Sequence, residues 1–356
     1  MKNKINGKII FNSVVFAMSG ALLVYFCLSK NGLSDLIKNA HNFNLLWLGI
    51  AILTHLTNIF IDAFLILKFT KGSGNKYTFK RAIKTCMVGQ FFSAITPGAS
   101  GGQPMQIYMM SKQKIDPGTA TSCLMQKFLV YQISLSIYSA VAIIIRFNFF
   151  NNMLNKVMWL AALVGFLSQV FIIFLILMFS FHRRLTRRII LILFKVLYKL
   201  HLNKDPDRSI EKLEEQLQSF HSGNKELIKN KKFLLETFAL TMIQLTVIFL
   251  VPYCIYRSFN LSGARIIDMV CSQSFVSMTS SLVPLPGAAG ASEGSFLVFF
   301  ANFFTEETLK PSVLLWRFIT YYLTIFISAP FSRIKKEDNN DSPLNNQVEV
   351  DCFEYK

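Results

Sequence analysis

The sequence predicts an all-α polytopic membrane protein, with six spans and two Gly/Pro-broken re-entrant hairpins in an inverted repeat. Composition is the first observation behind this. Of 356 residues, 52% are hydrophobic and 14% aromatic, and only 16% are charged, where soluble domains carry about a quarter charged residues. The second is the alternation of basic residues between successive loops. The third is a pair of similar breaks in the apolar runs, one in each half of the chain.

Apolar runs cover roughly 9–29, 44–67, 120–145, 157–181, 233–256 and 311–332. Each reaches the ~20 residues that a helical span needs. The first follows a basic start but has no small-residue cleavage site, so it is read as a retained helix. Residues 82–111 and 266–304 differ: each holds two half-length apolar pieces around a Gly/Pro break. These are the expected hairpins. The chain divides into residues 1–181 (the first membrane half with hairpin 82–111, and the start of the second half), a cytoplasmic basic and amphipathic segment at 182–232, the rest of the second half at 233–333 with hairpin 266–304, and a disordered cytoplasmic tail at 334–356. In the middle segment, Ile210, Leu213, Leu217 and Phe220 recur at helical spacing, which suits a surface helix.

The formal charge is +17. In a soluble protein that would point to nucleic acid; here it writes topology. With the N-terminus inside, 28 of the 37 basic residues fall in inside segments and seven outside. This is the positive-inside bias of a membrane protein with both termini cytoplasmic. It holds only if each hairpin enters and leaves on one side, the first from the cytoplasm and the second from the exterior. Anionic lipid at the cytoplasmic face is an expected partner of the same charges, and nucleic acid is not. The six cysteines and five histidines show no metal-ligand or redox spacing, and there is no nucleophile elbow or phosphate-loop lysine. No cofactor and no catalytic set are expected. Nothing in the sequence fixes whether the chain forms a homo-oligomer.

The breaks read Pro97-Gly98-Ala99-Ser100-Gly101-Gly102-Gln103-Pro104 and Pro284-Leu285-Pro286-Gly287-Ala288-Ala289-Gly290-Ala291-Ser292-Glu293. Broken backbone at membrane depth is tolerated only where protein or a watery cavity satisfies it. A matched pair of such breaks points to a transport site between repeats. The candidate substrate-binding residues are therefore Gln90, Pro97, Gly98, Gly101, Gly102 and Gln103 at the first break, and Pro286, Gly287, Gly290, Ser292, Glu293 and Arg317 at or near the second. Pro104 suits the first position of a new half-helix, whose free N–H groups attract phosphate. Glu293 is either a first-turn residue favouring the helix dipole or an ionisable substrate contact. Arg317 is a candidate partner for Glu293 or for a lipid phosphate, and contact with substrate is the expected role. Asp62, Gln169 and Gln244 are polar within spans. Asp62 is expected to face water or pair with Lys127, and the two glutamines to bridge helices.

On Gly89-Gln90-Phe91-Phe92 with Pro97-Gly98, on Pro284-Leu285-Pro286-Gly287 with Glu293, and on Leu315-Trp316-Arg317 with Tyr321-Tyr322, the chain resembles the membrane (flippase-like) domain of bacterial lysylphosphatidylglycerol synthetase/flippases. The chain ends soon after its last predicted span, as in stand-alone relatives that lack the aminoacyltransferase domain. The resemblance implies translocation of a phospholipid or lipid-linked head group, with aminoacylated phosphatidylglycerol one such substrate. Two other readings stand beside it. One is a membrane-embedded lipid transferase using Glu293. The other is a non-transporting subunit acting through 182–232.

Overall fold

The computed structural model describes residues 43–147, 150–151, 156–182, 188, 218–220, 222, 229–281, 283 and 285–332. The expected span at 9–29, nearly all of the amphipathic segment and the tail lie outside the described residues. What is described is helical, with no strand. The helices are α1 (Leu45–Gly72), α2 (Phe79–Ile95), α3 (Gly102–Lys112), α4 (Pro117–Ile145), α5 (Lys156–Phe181), α6 (Lys231–Phe249), α7 (Val251–Ser258), α8 (Ile266–Ser280), α9 (Ala291–Phe300), α10 (Glu306–Arg317) and α11 (Leu323–Ser328). A π-turn at Phe318–Tyr322 joins α10 to α11, and a 3-10 turn at Ala329–Ser332 closes the series.

Polar residues just outside the apolar runs set the helix starts. The Asn44, Asp116 and Asn230 side chains accept from the N–H groups of Leu46, Thr119 and Phe233, at 3.2, 2.9 and 3.0 Å. Each satisfies one of the four donors that a helix N-terminus leaves unpaired. Pro117 follows Asp116 at the first helical position, where its missing N–H costs nothing. Four continuous helical stretches are long and apolar enough to cross a membrane: Leu45–Gly72, Pro117–Ile145, Lys231–Ser258 and Glu306–Ser332. They correspond to four of the expected spans. In α5 the apolar described part is the shorter Ala162–Met178. Large apolar side chains stand exposed along these helices, among them Leu53, Phe60, Ile144, Leu160, Phe171 and Phe326. So much outward apolar surface suits contact with lipid rather than water.

The segments expected as hairpins are U-shaped. In the first, α2 and α3 pack along each other. Tyr77, before α2, donates to Oε1 of the Gln113 side chain, after α3, and also meets Thr85 at 2.8 Å. The two ends of this hairpin therefore lie together. Burial pushes the Tyr77 phenol up to about 12, so it remains a donor at neutral pH. In the second hairpin α8 packs on α9, and residues from both of its ends (Arg265, Asp268, Asn302 and Phe303) line one small cavity.

Helix α4 relates the two hairpins. Four residues separate its start from the end of α3. Its 29 residues rise about 43 Å, and Arg146 at its far end pairs with Asp268 in the first turn of α8. The hairpins thus open toward opposite ends of α4. Their Pro-Gly turns touch each other between those ends. Around the second hairpin lies the largest apolar core, rich in rings: Phe275, Phe296, Phe299, Phe300 and Trp316. Around the first is a smaller aliphatic and sulfur core that includes Ile59, Ala63, Cys86 and Met110.

Candidate functional site

The two breaks adopt one backbone shape. Gly98 has φ 58 and ψ 25, and Gly287 has φ 58 and ψ 20. The alanine after each is also left-handed, Ala99 at φ 55 and Ala288 at φ 49. The hydrogen bonds match too. Ala99 N donates to Thr96 O at 3.2 Å and Ser100 N to Pro97 O at 3.1 Å. Ala288 N donates to Leu285 O at 2.9 Å and Ala289 N to Pro286 O at 3.2 Å. Pro97 and Pro286 open these turns, where a fixed φ is an advantage. A left-handed alanine costs about 1–2 kcal/mol, and each break carries that strain once.

Beyond this shared turn the breaks diverge. The second is braced by charge. Arg317 donates from Nε to Glu293 Oε1 at 2.6 Å, and from a terminal nitrogen to the Gly287 carbonyl at 2.7 Å. The other oxygen of Glu293 accepts from Gly290 N at 2.7 Å, which caps α9. Ser292 Oγ also donates to the Gly287 carbonyl, at 3.3 Å. The Tyr321 ring lies against Gly287 so closely that an added Cβ there would sit 2.4 Å from it. Arg317 stands 5.2 Å from the centre of that ring. Tyr321 then reaches across to the first hairpin and donates to Ala94 O at 2.8 Å. The π-turn begins right after Arg317, and Tyr321 lies within it.

The first break has no carboxylate; Pro104 stands where Glu293 stands in the second. It is held by small, close contacts. Gly101 N donates to Thr96 Oγ1 at 2.8 Å. A Cβ on Gly102 would fall 1.8 Å from Ser93 Oγ, and one on Gly101 2.7 Å from the Thr96 side chain. These glycines let α2 and α3 approach. Pro104 is the third residue of α3 rather than the first, still inside the turn whose N–H groups have no helical partner.

Beside the first break lies a cavity of about 490 Å³. Gly98, Ala99, Ser100 and Gln103 form one side, with Gln90, Ser93 and Gln106 from the hairpin arms. The spans supply Asp62 from α1, Lys127 and Tyr131 from α4, and Thr241 and Gln244 from α6. Lys127 Nζ is 2.5 Å from Asp62 Oδ1. Asp62 also accepts from Cys86 Sγ at 3.2 Å and from Gln244 Nε2 at 3.5 Å. One carboxylate thus ties α1 to α2, α4 and α6. Such a pair inside spanning helices is costly to place, which singles out this cavity as the candidate site.

Of the expected site residues, Gln90, Gly98 and Gln103 border this cavity. Pro97, Gly101 and Gly102 belong to the same break but do not line the cavity. Pro286, Gly287, Gly290, Ser292, Glu293 and Arg317 gather at the second break and do not line the cavity. Asp62 pairs with Lys127, one of its two expected roles. Gln169 accepts from Ser136 across α4 and α5 at 3.2 Å, as an interhelical bridge. Gln244 bridges and also lines the cavity. The cavity-lining Ser93, Gln106, Tyr131 and Thr241 escaped sequence reasoning, as did the roles of two linking residues. Tyr321 links the hairpins, and buried His55 on α1 meets Thr324 on α11 at 2.7 Å. A histidine inside an apolar run was the available signal for the second. Among the described residues no group of His, Cys, Asp and Glu is arranged to hold a metal ion.

A curated relative is described as a UPF0104 membrane protein of Archaeoglobus fulgidus. It is 24% identical over 270 residues, covering 74% of this chain and 80% of its own length. The family described as the lysylphosphatidylglycerol synthase TM region matches residues 9–328, which take in both breaks, the cavity and the Glu293–Arg317 brace. Helices fit to span a bilayer and a match over most of its length make this chain a membrane protein of the lysylphosphatidylglycerol synthase transmembrane-region family.

Proposed function

We propose that this protein moves the head group of a phospholipid, or of a lipid-linked substrate, between the leaflets of the cytoplasmic membrane. The observation that carries this reading is the polar cavity beside the first break, with its Asp62–Lys127 pair among apolar spans. A head group needs such a lining while its tails stay in lipid. The hairpins that open toward opposite ends of α4 and touch at their turns favour an alternating path between two sides. In this proposal the chain has six spans, two re-entrant hairpins and cytoplasmic termini, and its basic loops rest on anionic lipid. A lipid transferase is less favoured, because both oxygens of its best-placed carboxylate, Glu293, are engaged.

The test uses purified protein in liposomes carrying a trace of fluorescent phosphatidylglycerol. Dithionite bleaches only the outer leaflet. Protein-dependent loss of the protected half, absent from liposomes with an unrelated polytopic protein, is the expected result. An unchanged protected half would overturn the proposal.

A further inference from the structure

Two cavities lie toward opposite ends of α4. The one beside the first break is bordered by Gly98, Ala99, Ser100 and Gln103, all exposed, so it is open there. The other, of about 400 Å³, sits at the mouth of the second hairpin and includes Asp268 in its lining. Between them lies one apolar layer. It consists of Leu135 of α4, Leu245 and Phe249 of α6 and Val270 of α8, all buried, with Tyr131 and Tyr138 of α4 packed against them. Tyr131 also borders the first cavity, as does Gln244, the residue before Leu245. Val270 lies two residues from Asp268, which pairs with Arg146 of α4. The layer is held unevenly. Thr246 Oγ1 donates to the Tyr138 hydroxyl at 3.3 Å, and the Tyr138 and Phe249 rings meet edge to face at 5.2 Å. Both contacts join α4 to α6. Helix α8 enters the layer through Val270 and is tied to α4 by the Arg146–Asp268 pair. Polar atoms are sealed in beside the layer. Ser139, one turn past Leu135, and Gln273, one turn past Val270, each bury an oxygen with no hydrogen-bond partner. Such groups lack what water would give them.

We infer that this layer is a gate between two vestibules of one path, and that α8 is the part that moves. When α8 parts from α4 and α6, Arg146 and Asp268 separate at the small cavity. Val270 leaves Leu135 and Phe249, and water reaches Ser139 and Gln273. A dry apolar constriction stops polar solutes until it is wetted. Packed layers switch between discrete arrangements rather than stretch. The described conformer is therefore open at the first break and shut toward the Arg146 end of α4. The Glu293–Arg317 brace holds the turn that follows α8, which makes that turn the pivot. This inference rests on the proposed transport for what passes the gate, and names the step that admits or releases it.

The experiment reads opening of the layer without requiring lipid to move. Cys271, three residues from Asp268 on α8, is buried in the core that α8 shares with Ala142 of α4. Full-length protein in liposomes is treated with a water-soluble maleimide, and peptide mass spectrometry gives the rate of modification at Cys271. Cys123, buried in a separate core near the other end of α4, is the reference. Arg146→Gln with Asp268→Asn leaves neither charge orphaned. It should speed modification of Cys271 about tenfold, the worth of one charge-assisted contact, and leave Cys123 unchanged. An unchanged rate at Cys271, or equal acceleration at both cysteines, would overturn the gate. The second arm pins the layer instead of loosening it. Leu135→Cys with Val270→Cys, oxidised by copper phenanthroline, should stop leaflet exchange, and reductant should restore it. Exchange that continues in the oxidised protein would overturn the gate. Faster modification of Cys271 in the neutral variant, with no leaflet exchange by the unaltered protein, would leave the moving layer standing and overturn only the transport proposal.

Discussion

Removing either member of the Glu293–Arg317 pair should harm the fold, and removing both should harm it far less. The side chains are 14% and 9% exposed, so neither charge is well solvated. In Arg317→Gln, Glu293 keeps the Gly290 N–H but loses its cation, and the Gly287 carbonyl loses its strongest donor. Breaking a buried pair in this way costs about 3–5 kcal/mol. Glu293→Gln leaves an uncompensated guanidinium beside the Trp316 and Tyr321 rings, at a similar cost of about 3 kcal/mol. If the effects were independent, the double variant would lose at least about 6 kcal/mol, which most domains do not survive. The geometry predicts otherwise. Two glutamines can still contact each other, Gly290 N and Gly287 O, so the double variant should lose about 2 kcal/mol, the worth of one or two hydrogen bonds. The assay is equilibrium unfolding in mixed micelles, with leaflet exchange measured on the same preparations. A stable and active double variant is expected. Additive losses would refute the bracing role. A stable double variant that folds but moves no lipid would return these residues to substrate contact.

Gly102→Ala should lose about 1–3 kcal/mol, because its new methyl meets Ser93 Oγ at 1.8 Å and the Gly89 carbonyl at 2.9 Å; thermal unfolding reads this. Gly290→Ala should lose about 1–3 kcal/mol through backbone strain alone, because φ 84 with ψ −48 lies outside the left-handed helical region although nothing lies within 4 Å of its added Cβ; the same assay reads it. Folding raises the Tyr77 phenol from 10.0 to about 12, so its contribution is complete below pH 10 and fades as pH rises toward 12. Tyr77→Phe should therefore flatten the stability profile in that window. A cysteine at Asn75 should react with an impermeant maleimide only after permeabilisation, and one at Glu307 in intact cells. Cys27 and Cys352 are replaced beforehand, and the four described native cysteines are buried.

Both breaks were legible in the sequence because glycine and proline mark where helix cannot continue. Four spans were legible because ~20 apolar residues have few other uses. Start positions moved by a few residues, as at α10, where Thr305 caps a helix that begins before the apolar run. The asymmetry between the breaks was half visible, in Glu293 having no counterpart at Pro104. The cavity itself was not visible. It depends on Asp62, Lys127 and Gln244, three polar residues on three spans far apart in the chain. Their meeting is a matter of helix rotation and crossing, which hydropathy does not encode. Tyr321 was noted within a motif, yet its hydroxyl reaches a backbone carbonyl on the other hairpin, and nothing in a local pattern states that.

The bond from Tyr321 to Ala94 joins positions 227 residues apart, and that separation sets a schedule for biogenesis. At ribosomal speeds of about 5–20 residues per second, Ala94 is made roughly 10–45 s before its partner. During that interval the first hairpin must persist without the tyrosine that ties it to the rest of the molecule. Chains truncated before α10 would keep a first hairpin held by α1 and α4 without the final helix. They should be preferred substrates of membrane quality-control proteases, while full-length chains become resistant once the final helix docks.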